Sequence, residues 1–117
     1  MRQSVLIVDD EGLIRRSLRM VLEGAGYDVR NAANGAEALA QLADEPPDCV
    51  LIDLRLGDMS GLDVLRAARE RLPLPKAFVI TDHGDVDSAV SALRLGAFDF
   101  IRKPFSTWRR CWPRSRS

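Results

Sequence analysis

The chain has 117 residues, 46% of them apolar and 29% charged, with 17 basic and 17 acidic side chains that cancel to zero formal charge. That length is one domain's worth with room for a sizeable core, and the composition is that of an ordinary globular chain, which excludes the disordered and membrane classes. With no leader-like N-terminus and no apolar run of ~20 residues, a cytoplasmic protein without membrane attachment is expected.

Short β-like runs alternate with helical patterns, the arrangement of βα units that feed a parallel sheet. The first run, SVLIVD at 4–9, lacks polar alternation, so it is expected to be a central strand covered on both faces. Residues 12–24 place Ile14, Leu18, Val21 and Leu22 on one helical face, with Gly24 and Gly26 able to stop the turn. A second strand, YDVRNA at 27–32, precedes Asn34 and Glu37, which read as a capping box for a helix over 35–43 that ends before Pro46 and Pro47. DCVLID at 48–53 is the third strand, and Ser60 with Asp63 can cap a helix over 61–72 before Pro73. KAFVIT at 76–81 follows. Asp85 is then a fitting N-cap for a helix over 86–95, where Ala89, Val90 and Leu93 share a face and Gly96 suits the stop. FDFI at 98–101 is the last strand. Right-handed crossovers would place the helices on both faces of a five-stranded parallel sheet, a doubly wound α/β fold whose ligands bind beyond the carboxyl ends of the strands.

Charge and cysteine placement add little to this. All 17 acids precede residue 105, so the body carries 13 cations against 17 anions while Arg109, Arg110, Arg114 and Arg116 load the tail. Four arginines without a folded basic face are weak evidence for nucleic acid, and a solvated tail is the simpler reading. Cys49 falls in an apolar run and Cys111 in the tail, without metal-ligand spacing, so Cys49 reads as a small buried hydrophobe.

The strand ends are where chemistry gathers. Asp9 and Asp10 end the first strand, Asp53 the third and Thr81 the fourth, and Lys103 follows the fifth. Adjacent carboxylates raise each other's pKa, and a hard divalent cation relieves the conflict. An all-oxygen donor set suits Mg²⁺, with Mn²⁺ as a substitute, better than zinc, which favours His or Cys. Asp10 and Asp53 are the expected ligands, with Asp9 acting mainly through water. One carboxylate can then serve as nucleophile toward a phosphoryl group, whose equatorial charge Lys103 and the Thr81 hydroxyl would neutralise. Taken singly, each feature has a plainer meaning: an acidic pair at a helix start, a Lys-Pro turn, a capping Thr, a core Phe. Four such signals at successive strand ends outweigh them.

These residues carry a resemblance. VDDE, DCVLIDLRLGDMSGLDVL, VITDHGD and GAFDFIRKPF make residues 4–105 resemble the receiver domains of bacterial two-component response regulators, in wording closest to those of nitrogen- and dicarboxylate-type transcriptional regulators. The resemblance implies a flavodoxin-like (CheY-like) sheet of order 2-1-3-4-5. It also implies that Asp53 is the phosphoacceptor, that Asp9, Asp10, Asp53 and the Arg55 backbone carbonyl hold Mg²⁺, and that Lys103 pairs with the phosphoryl group. Thr81 and Phe100 become the switch residues, Arg55 and His83 tune hydrolysis, and the Lys103–Pro104 peptide is cis. A sensor histidine kinase is the implied donor, and the output domain or DNA-binding partner lies outside this chain.

Three departures from that pattern carry expectations of their own. Asp82 stands where the family usually has Ala or Gly, which predicts slower phosphorylation by small donors; Gly57 stands where proline is common, which predicts a looser loop. Residues 106–117 form a basic Trp/Arg tail in place of the fifth amphipathic helix, so that helix is expected to be absent or atypical. In that tail region Phe105, Trp108 and Trp112 share a face before Pro113. A truncated or frame-shifted end would account for the abrupt change of composition, and the apolar surface left uncovered predicts self-association or marginal stability. Two rival functions remain: a phosphorylation-independent interaction module, favoured by Asp82 and the tail, and a Mg²⁺-dependent aspartyl phosphohydrolase. The second usually needs another acid two residues past the nucleophile, where this chain has Arg55.

Overall fold

The computed structural model describes residues 3–71, 76–81, 86–94, 96–97 and 99–102. Nine elements follow in chain order: β1 (Ser4–Val8), α1 (Gly12–Gly24), β2 (Asp28–Ala32), α2 (Gly35–Asp44), β3 (Cys49–Asp53), α3 (Gly61–Arg71), β4 (Lys76–Thr81), α4 (Val86–Arg94) and β5 (Asp99–Arg102). All strand pairs are parallel and the sheet order is β2-β1-β3-β4-β5, as the resemblance implies.

The apolar runs of β1 and β3 are continuous because both faces of these strands are covered. Successive side chains alternate between two cores. Leu6, Val8, Val50, Ile52 and Val79 meet Ala38 and Leu42 of α2 and Val64, Leu65 and Ala68 of α3. On the other face Val5, Ile7, Leu51, Phe78 and Ile80 meet Leu18 and Leu22 of α1, together with Tyr27. Cys49 is part of this second core, and burial pushes its thiol up, which keeps it an inert packing group. Among the described residues no helix is long and apolar enough to cross a membrane.

Helix ends follow from the residues placed there. α1 stops on a full Schellman turn: Gly26 takes φ 98°, its N–H donates to the Glu23 carbonyl, and the Tyr27 N–H reaches back to Leu22 at 3.0 Å. Tyr27 and Leu22 pack in the same core, the apolar contact that accompanies this motif. Gly96, φ 106°, closes α4 in the same hand. Asn34 caps α2 through the Glu37 N–H at 2.8 Å, and the Glu37 carboxylate returns to Ala33, one residue earlier than the usual box. At α3 the Ser60 hydroxyl accepts from Leu62 and the Ser60 N–H donates to Asp63.

Some sequence expectations need correction. Val21 is 40% exposed, so the buried stripe of α1 is the narrower line of Ile14, Leu18 and Leu22. α1 is the one helix among the described residues on its face, and no other described helix flanks it. Val90 and Leu93 of α4 are 42% and 38% exposed, because α4 packs against β4, β5 and α3 at the margin of the sheet. Strand β5 runs Asp99–Arg102 and so extends one residue past the end of the FDFI run, whose Phe98 lies outside the described residues. The Asp85 cap, the side chain of Ala89, Cys111 and the fifth-helix region fall outside the described residues.

Candidate functional site

Register brings the acids together. Val8 of β1 faces Ile52 of β3, so the next residues along each strand, Asp9 and Asp53, stand side by side at the carboxyl edge. Asp9 is fully buried and Asp53 is 6% exposed, while Asp10 and Glu11 lie at the surface. Carboxylate oxygens from Asp9, Asp10, Glu11 and Asp53 all lie within 4.8 Å of one another. Local bonds fix the two buried acids. The Asp9 N–H continues the sheet to the Ala32 carbonyl, and its Oδ1 accepts the Glu11 N–H at 2.9 Å. The Arg15 guanidinium, from the first turns of α1, donates to the Asp9 carbonyl. The Arg55 N–H donates to Asp53 Oδ1 at 3.0 Å, an Asx-type turn that restrains the carboxylate.

The loop after Asp53 folds back at once. Arg55 and Ser60 form an antiparallel bridge, and the Gly61 N–H donates to the Leu54 carbonyl at 2.9 Å. Gly61 is required by this close approach: a Cβ there would strike the Asp53 carbonyl and lie 2.8 Å from the Ile52 side chain. Asp58, at the tip of the loop, accepts the Gly35 and Ala36 N–H groups of α2. The Gly35 N–H, aided by that of Ala36, holds the Asp58 carboxyl below its ordinary value against a smaller opposing effect of desolvation.

Among the expected site residues, Asp9, Asp10 and Asp53 are brought together, and the Arg55 backbone stands in the loop directly beyond Asp53. Thr81 closes β4 at the same edge, one residue past the Ile80 that faces Asp53, and it faces Arg102. Phe100 faces Val79 within β5. The side chains of Thr81 and Phe100, and Asp82, His83, Lys103 and Pro104 altogether, lie outside the described residues. Glu11 was not singled out as a ligand, although it directly follows the acid pair in VDDE. Asp58 and Arg15 carried no local signal, since their partners are set by the fold.

The family model for the response regulator receiver domain matches residues 5–109. This chain belongs to the response regulator receiver family. The receiver is 43% identical over 104 residues to the DNA-binding transcriptional regulator NtrC of Escherichia coli (strain K12), covering 89% of this chain and 22% of that one. It therefore spans about a fifth of NtrC. It is similar to the crystal structure of the receiver domain of NtrX from Brucella abortus, with 37% identity, a TM-score of 0.84 and coverage of 90% and 89%. A CheY-like receiver domain protein from Methanospirillum hungatei JF-1 matches with 32% identity, a TM-score of 0.87 and coverage of 95% and 89%. The likeness to NtrC and NtrX agrees with the nitrogen-type wording of the receiver's motifs, and the CheY-like fold with its sheet order.

Proposed function

We propose that this receiver accepts a phosphoryl group on Asp53 from a sensor histidine kinase, in a Mg²⁺-dependent reaction, and relays it as a change of surface. One observation carries the reading: a buried carboxylate at the end of β3 with three further carboxylates within 4.8 Å. Acids so placed repel one another unless a cation joins them, and the donor set is all oxygen, which fits Mg²⁺. Asp9, Asp10, Asp53 and the Arg55 carbonyl would hold the ion, with Glu11 beside them and Mn²⁺ as an alternative. When bound, the ion neutralises charge on the oxygens of the transferring group.

In the proposed reaction an Asp53 carboxylate oxygen attacks the phosphorus of a phosphohistidine. The P–N bond breaks, its electron pair stays with the imidazole nitrogen, and an acyl phosphate forms. The Arg55 N–H, donating to Asp53 Oδ1, restrains the attacking carboxylate. Lys103 is assigned to the phosphoryl oxygens, Thr81 and Phe100 to the switch, Arg55 and His83 to the lifetime of the product and Asp82 to the rate of phosphorylation by small donors, with a cis Lys103–Pro104 peptide. The modified state shifts a two-state surface. Residues 1–105 are assigned to the receiver and 106–117 to a separate tail. A cytoplasmic setting, self-association and a transcriptional output beyond this chain complete the proposal. NtrC, which carries the name of a DNA-binding regulator, supports that output.

Incubation with acetyl phosphate and MgCl₂, followed by intact mass, tests the reading. A single phosphoryl adduct is expected on the wild type and none on Asp53→Asn or in EDTA. An adduct that survives Asp53→Asn would remove Asp53 from its role, and steady phosphate release over many turnovers would favour a hydrolase.

A further inference from the structure

The loop that begins at Asp53 is fastened at three places. Its base is closed by the Arg55–Ser60 bridge and by the Ser60 hydroxyl and Gly61 N–H, both donating to the Leu54 carbonyl. Its start is tied to the site itself by the Arg55 N–H on Asp53. Its tip is held by another element. Asp58 Oδ1 accepts the Gly35 N–H at 2.8 Å and Oδ2 accepts the Ala36 N–H at 3.0 Å, across 23 and 22 residues of sequence. The Met59 side chain also lies close over Gly35, filling the space a Cβ there would need.

α2 does not need Asp58 for its start. Asn34 already caps it through Glu37, and Glu37 returns to Ala33. Asp58 takes the remaining first-turn donors with a full carboxylate, placed where the helix dipole favours negative charge. What this two-pronged contact fixes is the loop. Asp58 is three residues from Arg55, a reach of about 10 Å for extended chain, and the Arg55–Ser60 bridge shortens it further, so the loop has no slack to absorb a shift of its tip.

We infer that Asp58 is a positioning residue of the Asp53 site: pinned to the N-terminus of α2, it holds the Arg55 N–H on Asp53 and sets the direction of the Arg55 carbonyl. Its bearing on metal binding rests on the function proposed above; its bearing on loop geometry does not. By reciprocity, occupation of the site biases the Asp58–α2 contact, which makes the start of α2 a place where the state of Asp53 is felt.

The test compares Asp58→Ala with Asn34→Ala, which removes the helix's own cap but leaves the loop attached. Amide hydrogen exchange at Arg55 and Gly61, measured against Leu51 in β3, reads the loop, and calorimetric titration with MgCl₂ reads the site. Asp58→Ala is expected to speed relative exchange at Arg55 and Gly61 and to weaken Mg²⁺ binding, each about tenfold, the scale of losing a group that orients a ligand. Asp58→Asn, which keeps one acceptor oxygen, falls between. Asn34→Ala leaves both within about twofold on the same scale while lowering the melting temperature. Unchanged relative exchange in Asp58→Ala, or an equal effect from Asn34→Ala, overturns the inference. Wild-type protein that takes up no Mg²⁺ while Asp58→Ala still loosens the loop would sink the metal reading and leave the positioning role standing.

Discussion

Gly57 and Gly61 stand four residues apart in the loop after Asp53 and make opposite demands. At Gly61 an added methyl group meets backbone on two sides, and backbone cannot turn away as a flexible side chain can. Gly61→Ala is expected to cost about 1–3 kcal/mol in urea unfolding, from overpacking against β3. At Gly57 nothing lies within 4 Å of the new Cβ, and its φ is outside the left-handed region. Gly57→Ala should therefore gain about 0.4–1 kcal/mol by stiffening the unfolded chain. Asp58 in the same loop has its own pH signature. Its folded pKa is depressed by the Gly35 N–H and then that of Ala36, so its contribution is complete above the ordinary aspartate value of about 4 and is lost as pH falls through the lower folded value. Acid titration of stability should show a shallower fall below that pH in Asp58→Asn than in wild type.

The strands and most helix ends were legible because their signals are local. A β1 or β3 buried on both faces carries an unbroken apolar run, and a Gly at 26 or 96 ends a helix wherever the helix is placed. The breadth of a buried face is set by neighbours, which periodicity does not reveal. Val21 satisfies the apolar pattern of α1 and still stands 40% exposed, because the stripe that meets Val5, Ile7 and Leu51 is only as wide as the Leu18–Leu22 line. The acid pair and Asp53 were legible as strand-end residues, since a parallel sheet collects such ends at one edge. The Asp58 contact was not, because a carboxylate 23 residues from its donor carries no mark of its partner. A pair of truncations checks the width of the α1 stripe. Leu22→Ala, at a position 1% exposed and joined to the Schellman contact with Tyr27, should cost about 2–5 kcal/mol in chemical denaturation. Val21→Ala, by contrast, should stay within about 0.5 kcal/mol, as surface changes do. Equal losses would mean that α1 buries the wider face its sequence suggests.

The body's excess of acids is concentrated where four carboxylates share one edge of the sheet, so the site opposes the stability of the fold that builds it. Unit charges 4.8 Å apart repel by about 1 kcal/mol in water-like surroundings, and by more where the site is shielded. Asp10 is exposed and makes no part of either core, which allows its charge to be removed without disturbing packing. Asp10→Asn should thus melt higher than wild type in EDTA, by an amount set by that repulsion of about 1 kcal/mol. Saturating MgCl₂ should reverse the order. A ligand at 100 times its dissociation constant stabilises the native state by about 2.7 kcal/mol, and the variant, short of one ligand, gains less of this. Melting temperatures of the two proteins, each with EDTA and with MgCl₂, decide the matter. The crossing of the two orders is the expected outcome, and a variant that melts lower in both media would show that Asp10 supports the fold by contacts other than through a cation.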